Sequence, residues 1–303
     1  MRILHLTHKP PFPEIDGGSS AIRMMLETMM LPGHEVTTLA ISTNKHPAQL
    51  QNQDKKFDIQ AIEVETAHRF GKFVTCLLTQ KSYFLRRFYN FHFEKKIIEL
   101  HRDINFDVIV LDGLQLYPYL STIQTFLNVK LIYRSHNVEH NLFRQRGMMK
   151  RNPITRLFFM QEAVKIGRSE RDMVQKVDHV ASISSADIPE LDKMAFPEQK
   201  CSVLSPFLKA PVLSSASPSK KITIGFLGAL DWEPNVEGLN WFIDEVWNKK
   251  IQTSNAIFSI AGKNGDSLFA DFNHPTIKFL GQLANADDFL QSLDIMVVPL
   301  FKG

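Results

Sequence analysis

Arg2-Ile-Leu-His-Leu-Thr7, then His8-Lys-Pro-Pro-Phe-Pro-Glu-Ile-Asp-Gly17-Gly18, then Ser19-Ser-Ala-Ile-Arg-Met-Met-Leu-Glu-Thr-Met-Met30, and finally Glu35-Val-Thr-Thr-Leu-Ala-Ile41 decide the architecture of this chain. The first six residues are a short apolar run, as expected of a strand buried on both faces. A loop with three prolines follows and ends in two adjacent glycines. Apolar Ile22, Met25, Leu26 and Met29 stand three and four residues apart and predict a helix over roughly 20–30, with Ser19 or Ser20 as its cap. Pro32-Gly33 stops it, and Glu35 to Ile41 is a second strand. Strand, loop, helix, strand is the repeating unit of a parallel sheet covered by helices, so the fold class is α/β.

The alternation continues outward. Strands are expected at Asp107–Asp112, Lys130–Tyr133 and His179–Ile183, a long helix at about 153–176, and a helix start at Ser184-Ser-Ala-Asp187. The run 209–221, KAPVLSSASPSKK, has the Ser, Pro and Lys content of a linker. It separates a first domain, 1–208, from a second, 222–303. In the second, strands are expected at Ile222–Leu227, Ala256–Ala261, Ile277–Leu280 and Ile295–Pro299, with helices at Asn235–Trp247 and Ala286–Leu293. The last strand has no helix after it, as expected of a second domain that is incomplete in this sequence.

The chain has 303 residues, 44% hydrophobic and 22% charged, enough for two domains with ordinary cores. Its two cysteines, Cys76 and Cys201, lie in unrelated contexts, which argues against a disulfide framework and for a reducing, cytoplasmic setting. The opening residues do not read as a signal peptide, and no stretch approaches the roughly 20 apolar residues that span a bilayer. Charge is uneven: 28 Lys+Arg against 22 Asp+Glu up to residue 215, and 7 against 10 beyond it.

Four constellations have chemical content. Gly17-Gly18, between strand and helix, is either a tight turn or a place where backbone N–H groups and a helix N-terminus approach a phosphate. It lacks the G-x-G-x-x-G spacing of a dinucleotide fingerprint. Ser135-His136-Asn137-Val138-Glu139-His140 follows a buried strand, and ligands bind at the carboxyl ends of parallel strands. A zinc ion on His136, Glu139 and His140 needs a further ligand that the spacing does not place. Phe226-Leu-Gly228-Ala-Leu-Asp231-Trp232-Glu-Pro-Asn235 joins a strand to a helix that Asn235 or Asp231 would cap. Trp232 fits either a core or a pocket. Finally, the stretch from His68 to Arg102 mixes cations with aromatics, among them Arg86, Arg87, Lys95, Lys96, Tyr83, Phe84, Phe88 and Tyr89. It suits an anionic membrane surface or lipid-linked acceptor, a single-stranded nucleic acid, or a solvated helix face over a core. Arg144, Arg146, Lys150, Arg151 and Arg156 form a second basic cluster.

Taken in order, the proline-rich loop ending in Gly17-Gly18, SHNVEH, ERDMVQKVDHVASISSAD, FLGALDWEPNVEGLNWFIDEVW, Ala261-Gly262 and FLGQL with DDFLQSLDIMVVPLFKG resemble the retaining glycosyltransferases of family 4, group 1. The resemblance implies a GT-B fold, two Rossmann-like domains facing a cleft, with the acceptor on the first and the nucleotide sugar mainly on the second. It implies transfer of a hexosyl-type sugar to a glycan or lipid-linked acceptor of the cell envelope with retention of configuration, and no metal or other cofactor. It places Gly17, Gly18, Asn137, Gly228, Asn235 and Gly262 near the donor and His136, with Glu139, near the transferred sugar. It makes Arg86, Arg87, Lys95 and Lys96 an acceptor or inner-membrane surface, and leaves no role for nucleic acid. Two departures stand out. Ala229 and Asn235 occupy positions where the family often has an Arg and a Lys, and its paired glutamates would fall beyond Gly303, so a chain of this extent is expected to be inactive. A sugar-nucleotide epimerase of the same fold and a non-catalytic ligand-binding protein are the competing readings.

Overall fold

The apolar run Arg2–Thr7 forms β1, the centre of a seven-stranded sheet with strand order β3-β2-β1-β4-β5-β6-β7, every neighbouring pair parallel. In this computed structural model the described residues are 1–303 without 15, 32, 50–55, 67–78, 197–199, 206–220, 252–254, 266–268, 270–273, 284 and 302–303. They fall into two units, 1–209 and 210–303. The linker run lies outside the described residues except for Lys221, and so do Cys76, His68, Arg69 and Lys72.

In the first unit the remaining strands are β2 (Glu35–Ser42), β3 (Asp58–Glu63), β4 (Val108–Asp112), β5 (Lys130–Ser135), β6 (His179–Ser182) and β7 (Cys201–Val203). Successive side chains of a strand point to opposite faces, and the core obeys this. Ile3, Val36, Ile59 and Val110 face α1 (Gly17–Met30), where Leu26 and Met29 cover them. Leu4, Leu6, Leu39, Ile109 and Leu111 face the other layer, built from α2 (Tyr83–Arg86), α3 (Phe91–Ile104), α4 (Leu120–Phe126), α5 (Glu139–Met149), α6 (Pro153–Lys176) and α7 (Ile188–Ala195). A 3-10 turn, Leu114–Tyr119, connects β4 to α4, and Ser184 caps another at Ser185–Asp187 ahead of α7.

The second unit has a four-stranded parallel sheet, order β10-β9-β8-β11: β8 (Ile222–Leu227), β9 (Ala256–Ala261), β10 (Ile277–Gly281) and β11 (Ile295–Met296). Helix α8 (Glu233–Trp241) continues as a π-helical run to Ile251, and α9 spans Ala286–Gln291. Its core centres on Trp247, fully buried, stacked on Phe258 and donating its indole N–H to Thr276 Oγ1 at 3.1 Å.

Several expectations are corrected. Helix α1 begins at Gly17, and its cap is Asp16, whose carboxylate accepts from Ser19 N at 2.9 Å. The glycine pair is therefore the first helical turn, and neither Ser19 nor Ser20 is the cap. Helix α8 begins at Glu233, with Trp232 in the cap position, so neither Asp231 nor Asn235 caps it. Strands β3 and β7 were not expected. Both lie at sheet edges, where half-exposed side chains dilute the apolar signal.

Candidate functional site

In an open parallel sheet the strand order reverses between β1 and β4, and ligands bind outside the carboxyl ends at that switch point. Those ends carry an unusual density of charge. Asp112, last residue of β4, is fully buried, as are His5 of β1 and Arg134 of β5. Asp112 accepts from His5 Nε2 at 2.8 Å, from Arg134 Nη1 at 3.1 Å to each oxygen, and from His136 Nε2. Burial alone would raise its pKa. The charge of Arg134 and the His136 contact outweigh burial and hold it well below the usual range.

An ionised carboxylate only accepts, so His136 presents Nε2–H to Asp112, and Nδ1 is its remaining nitrogen. His8 stands edge-on to it, ring centroids 5.5 Å apart, with its own Nδ1 donating to the Asp112 carbonyl at 2.9 Å. Burial, then the His136 and Lys9 charges, lower His8 to about 3, so it is neutral. Gly113 makes this approach possible: its φ is +110°, and a Cβ there would lie 2.6 Å from His8 Nδ1.

The rest of the SHNVEH loop divides its roles. Asn137 is exposed, and its carbonyl accepts from Ser135 Oγ at 3.0 Å. Glu139 and His140 open α5, and the fully buried Glu170 carboxylate of α6 caps them. It accepts from Glu139 N at 2.8 Å and His140 Nδ1 at 2.7 Å. Burial and the Glu170 charge push the Glu139 carboxyl up to about 7. Among the described residues, no cluster of His, Cys, Asp or Glu has the makings of a metal site.

Gly17 and Gly18 occupy the start of α1, where N–H groups have no intrahelical acceptor. A Cβ on Gly17 would meet nothing within 4 Å, whereas one on Gly18 would lie 2.3 Å from Lys9 Nζ. Lys9 bonds Asp16 at 2.9 Å, and His46 bonds the same carboxylate at 3.0 Å. Burial opposes ionisation of Asp16, but these two partners prevail and depress its pKa. Lys9 is thus a cation at the helix N-terminus that the sequence reading missed.

In the second unit Gly228 and Gly262 serve packing. Gly228 N–H is donated to Ala261 O at 3.1 Å and Gly262 N–H to Gly281 O at 2.9 Å, so neither amide is left for a phosphate. A Cβ on Gly262 would fall 1.8 Å from Gly228 O. Asn235 donates its side-chain amide to Ala229 O at 2.9 Å and holds the loop after β8.

The basic-aromatic stretch is not one surface. Tyr83 and Phe93 are buried, and Phe84 and Phe88 pack against the core, so of the aromatics Tyr83, Phe84, Phe88 and Tyr89 expected to suit an anionic surface only Tyr89 is exposed. Arg87 lies over the Phe84 and Phe88 rings at 5.8 Å each. Lys95 is exposed and pairs with Glu99 at 3.5 Å, and Lys96 is half-buried. Arg86 is exposed at the mouth of a cavity of about 640 Å³, together with Lys81, Tyr89, Tyr117 and Arg168.

Residues 221–303 match the family model described as Glycosyl transferases group 1. No curated protein matches the chain. Among solved structures it is similar to sucrose-phosphate synthase from Thermosynechococcus elongatus, with TM-score 0.67 and 12% identity over 99% of this chain and 76% of that one. It is also similar to WaaG, a glycosyltransferase involved in lipopolysaccharide biosynthesis, with TM-score 0.62 and 10% identity over 99% and 75%. Anabaena HepE, solved in complex with UDP and glucose, gives TM-score 0.61 and 12% identity over 98% and 73%. The fold is α/β with parallel sheets and matches that of the GT-B glycosyltransferases.

Proposed function

We propose that the protein in its full length transfers a hexosyl-type sugar from a nucleoside-diphosphate sugar to a glycan or lipid-linked acceptor, with retention of configuration and without a metal ion. The observation that carries the reading is the group 1 glycosyl transferase match over 221–303. The strand-end cluster supports it: a polar site at the switch point of a parallel sheet, with Lys9 and the α1 N-terminus beside it. In this reading Lys9 and the first N–H groups of α1 stabilise the departing phosphate charge. His136, oriented through Asp112, contacts the transferred sugar. The leaving phosphate takes the acceptor proton, so no strong general base is required.

The test is incubation of the full-length protein with labelled UDP- and GDP-sugars and a lipid extract, followed by product separation and assignment of the anomeric configuration by NMR. A new glycosidic bond with the donor's configuration supports the reading. An epimerised sugar nucleotide, or bound but unreacted donor in every combination, refutes it.

A further inference from the structure

Helices α5 and α6 form an antiparallel pair whose connecting end stands away from the strand-end site. Glu170, which caps the start of α5, lies 17 residues after the first residue of α6. At 1.5 Å per residue, α6 therefore runs about 26 Å from that level to Pro153. The end is firmly built. Asn152 caps α6, accepting from Ile154 N at 2.9 Å and Thr155 N at 3.3 Å. Gly147 lets the helices touch: a Cβ there would lie 3.1 Å from Phe159 Cβ.

What this end exposes is apolar and basic together. Met148, Ile154, Leu157 and Val164 are 53, 77, 59 and 56% exposed. Ile154, Leu157, Gln161, Val164 and Arg168 are three or four residues apart and share one exposed stripe of α6. From 140 to 161 the sequence has no Asp or Glu, and it has Arg144, Arg146, Lys150, Arg151 and Arg156. Arg151 and Arg156 are exposed and make no ion pair among the described residues.

We propose that this α5–α6 end is a docking surface for an anionic lipid bilayer, the apolar side chains entering the headgroup region while the arginines meet lipid phosphates. Charge complementarity selects this occupant. A second copy of the same end would bring five more cations against these five, and exposed Ile, Leu and Met have no counterpart in a phosphate backbone. Contact is at the surface, since no described helix is long and apolar enough to cross a membrane. The membrane contact expected of Arg86, Arg87, Lys95 and Lys96 is thereby moved to the α5–α6 end, where exposed apolar side chains stand among the cations.

The experiment is flotation of the purified protein with vesicles of phosphatidylcholine alone or with 30% phosphatidylglycerol, so it needs no sugar transfer and its failure leaves the transferase reading intact. Wild type is expected to float with the anionic vesicles only, and less as salt rises. Each cation near such a surface contributes roughly five-fold to partitioning, so Lys150→Gln/Arg151→Gln/Arg156→Gln should lower it about 100-fold. Ile154→Ser/Leu157→Ser should lower it while keeping the salt dependence. All of these positions are exposed except Lys150, which is half-buried over the Phe159 ring, and an unchanged melting temperature will certify folding. Wild type that ignores anionic vesicles at low salt, whether or not it self-associates, overturns the proposal. So does wild-type binding in both variants, or binding abolished only by changes at Arg86, Arg87, Lys95 and Lys96.

Discussion

Replacing Asp112 by Asn changes one atom and removes the charge around which the strand-end cluster is assembled. The carboxylate accepts from His5, Arg134 and His136, and both it and Arg134 are fully buried. An amide keeps one accepting oxygen and turns its NH2 toward donors. Arg134 is the residue left stranded, because its Nε and Nη2 already have no partner. Removing one member of a buried pair costs about 3–5 kcal/mol. For a unit of 209 residues each kcal/mol moves the melting temperature by about 2–4 °C, so the expected drop is about 6–20 °C. Adding Arg134→Met should recover most of it, since an apolar replacement for a whole buried pair is close to neutral. The pH dependence has a definite sign. Asp112 is depressed in the folded state, so its contribution is fully present above the ordinary carboxylate value near 4 and fades as pH falls through the folded pKa. The gap between wild type and Asp112→Asn should therefore be constant from pH 5 to 8 and close only in acid. Calorimetric melts across pH 3–8 are the assay. A variant melting within 2 °C of wild type at pH 7 would refute the account of Asp112 as the counter-charge of Arg134.

Glu139→Gln is expected to act in the opposite pH window. Glu139 is raised to about 7 in the fold, so wild type loses stability as pH rises from 4.5 to 7; the variant should melt higher at pH 8 and equally at pH 4.5. In the full-length protein His136→Ala should lower initial transfer rates at least 100-fold with a melting change under about 5 °C, because Asp112 keeps His5 and Arg134; the reverse pattern would make His136 structural. Gly262→Ala should cost about 2 kcal/mol or more by thermal melting, as its Cβ meets backbone that cannot yield. Gly17→Ala, with open space around it, should leave melting within about 2 °C, so a rise in donor Kd there would report phosphate approach to the helix start.

The parallel sheets were legible because strands buried on both faces are apolar runs: Ile3-Leu-His-Leu6, Ile109-Val-Leu111 and Ile257-Phe-Ser-Ile260 announce themselves. His136 was legible for the same reason, standing just past such a run. Its partners were not. His5, Asp112 and Arg134 look like polar interruptions of separate strands, and only the register that sets Asp112 beside Arg134 brings them together. A fully buried charge inside an apolar strand always needs a partner, so three such interruptions were the available signal. The cap of α1 was misread because Gly17-Gly18 suggested a loop, whereas glycine at the first turn costs a helix little, and Asp16 supplies the cap. The docking end was visible as a basic cluster, but its exposed Ile154 and Leu157 were indistinguishable from core residues until their burial was known.

Placing the first strand at the middle of the sheet has a consequence for synthesis. β1 is translated before the other strands of its sheet, and β2 supplies one neighbour by Ser42, but β4 begins only at Val108. At 5–20 residues per second, roughly 100 codons separate β1 from its second partner, an interval of about 5–20 s. Through it, one edge of Ile3-Leu-His-Leu6 stays open on the ribosome, an extended apolar segment of the kind holding chaperones bind. Slow codons between 43 and 107 would lengthen that interval without altering a single residue.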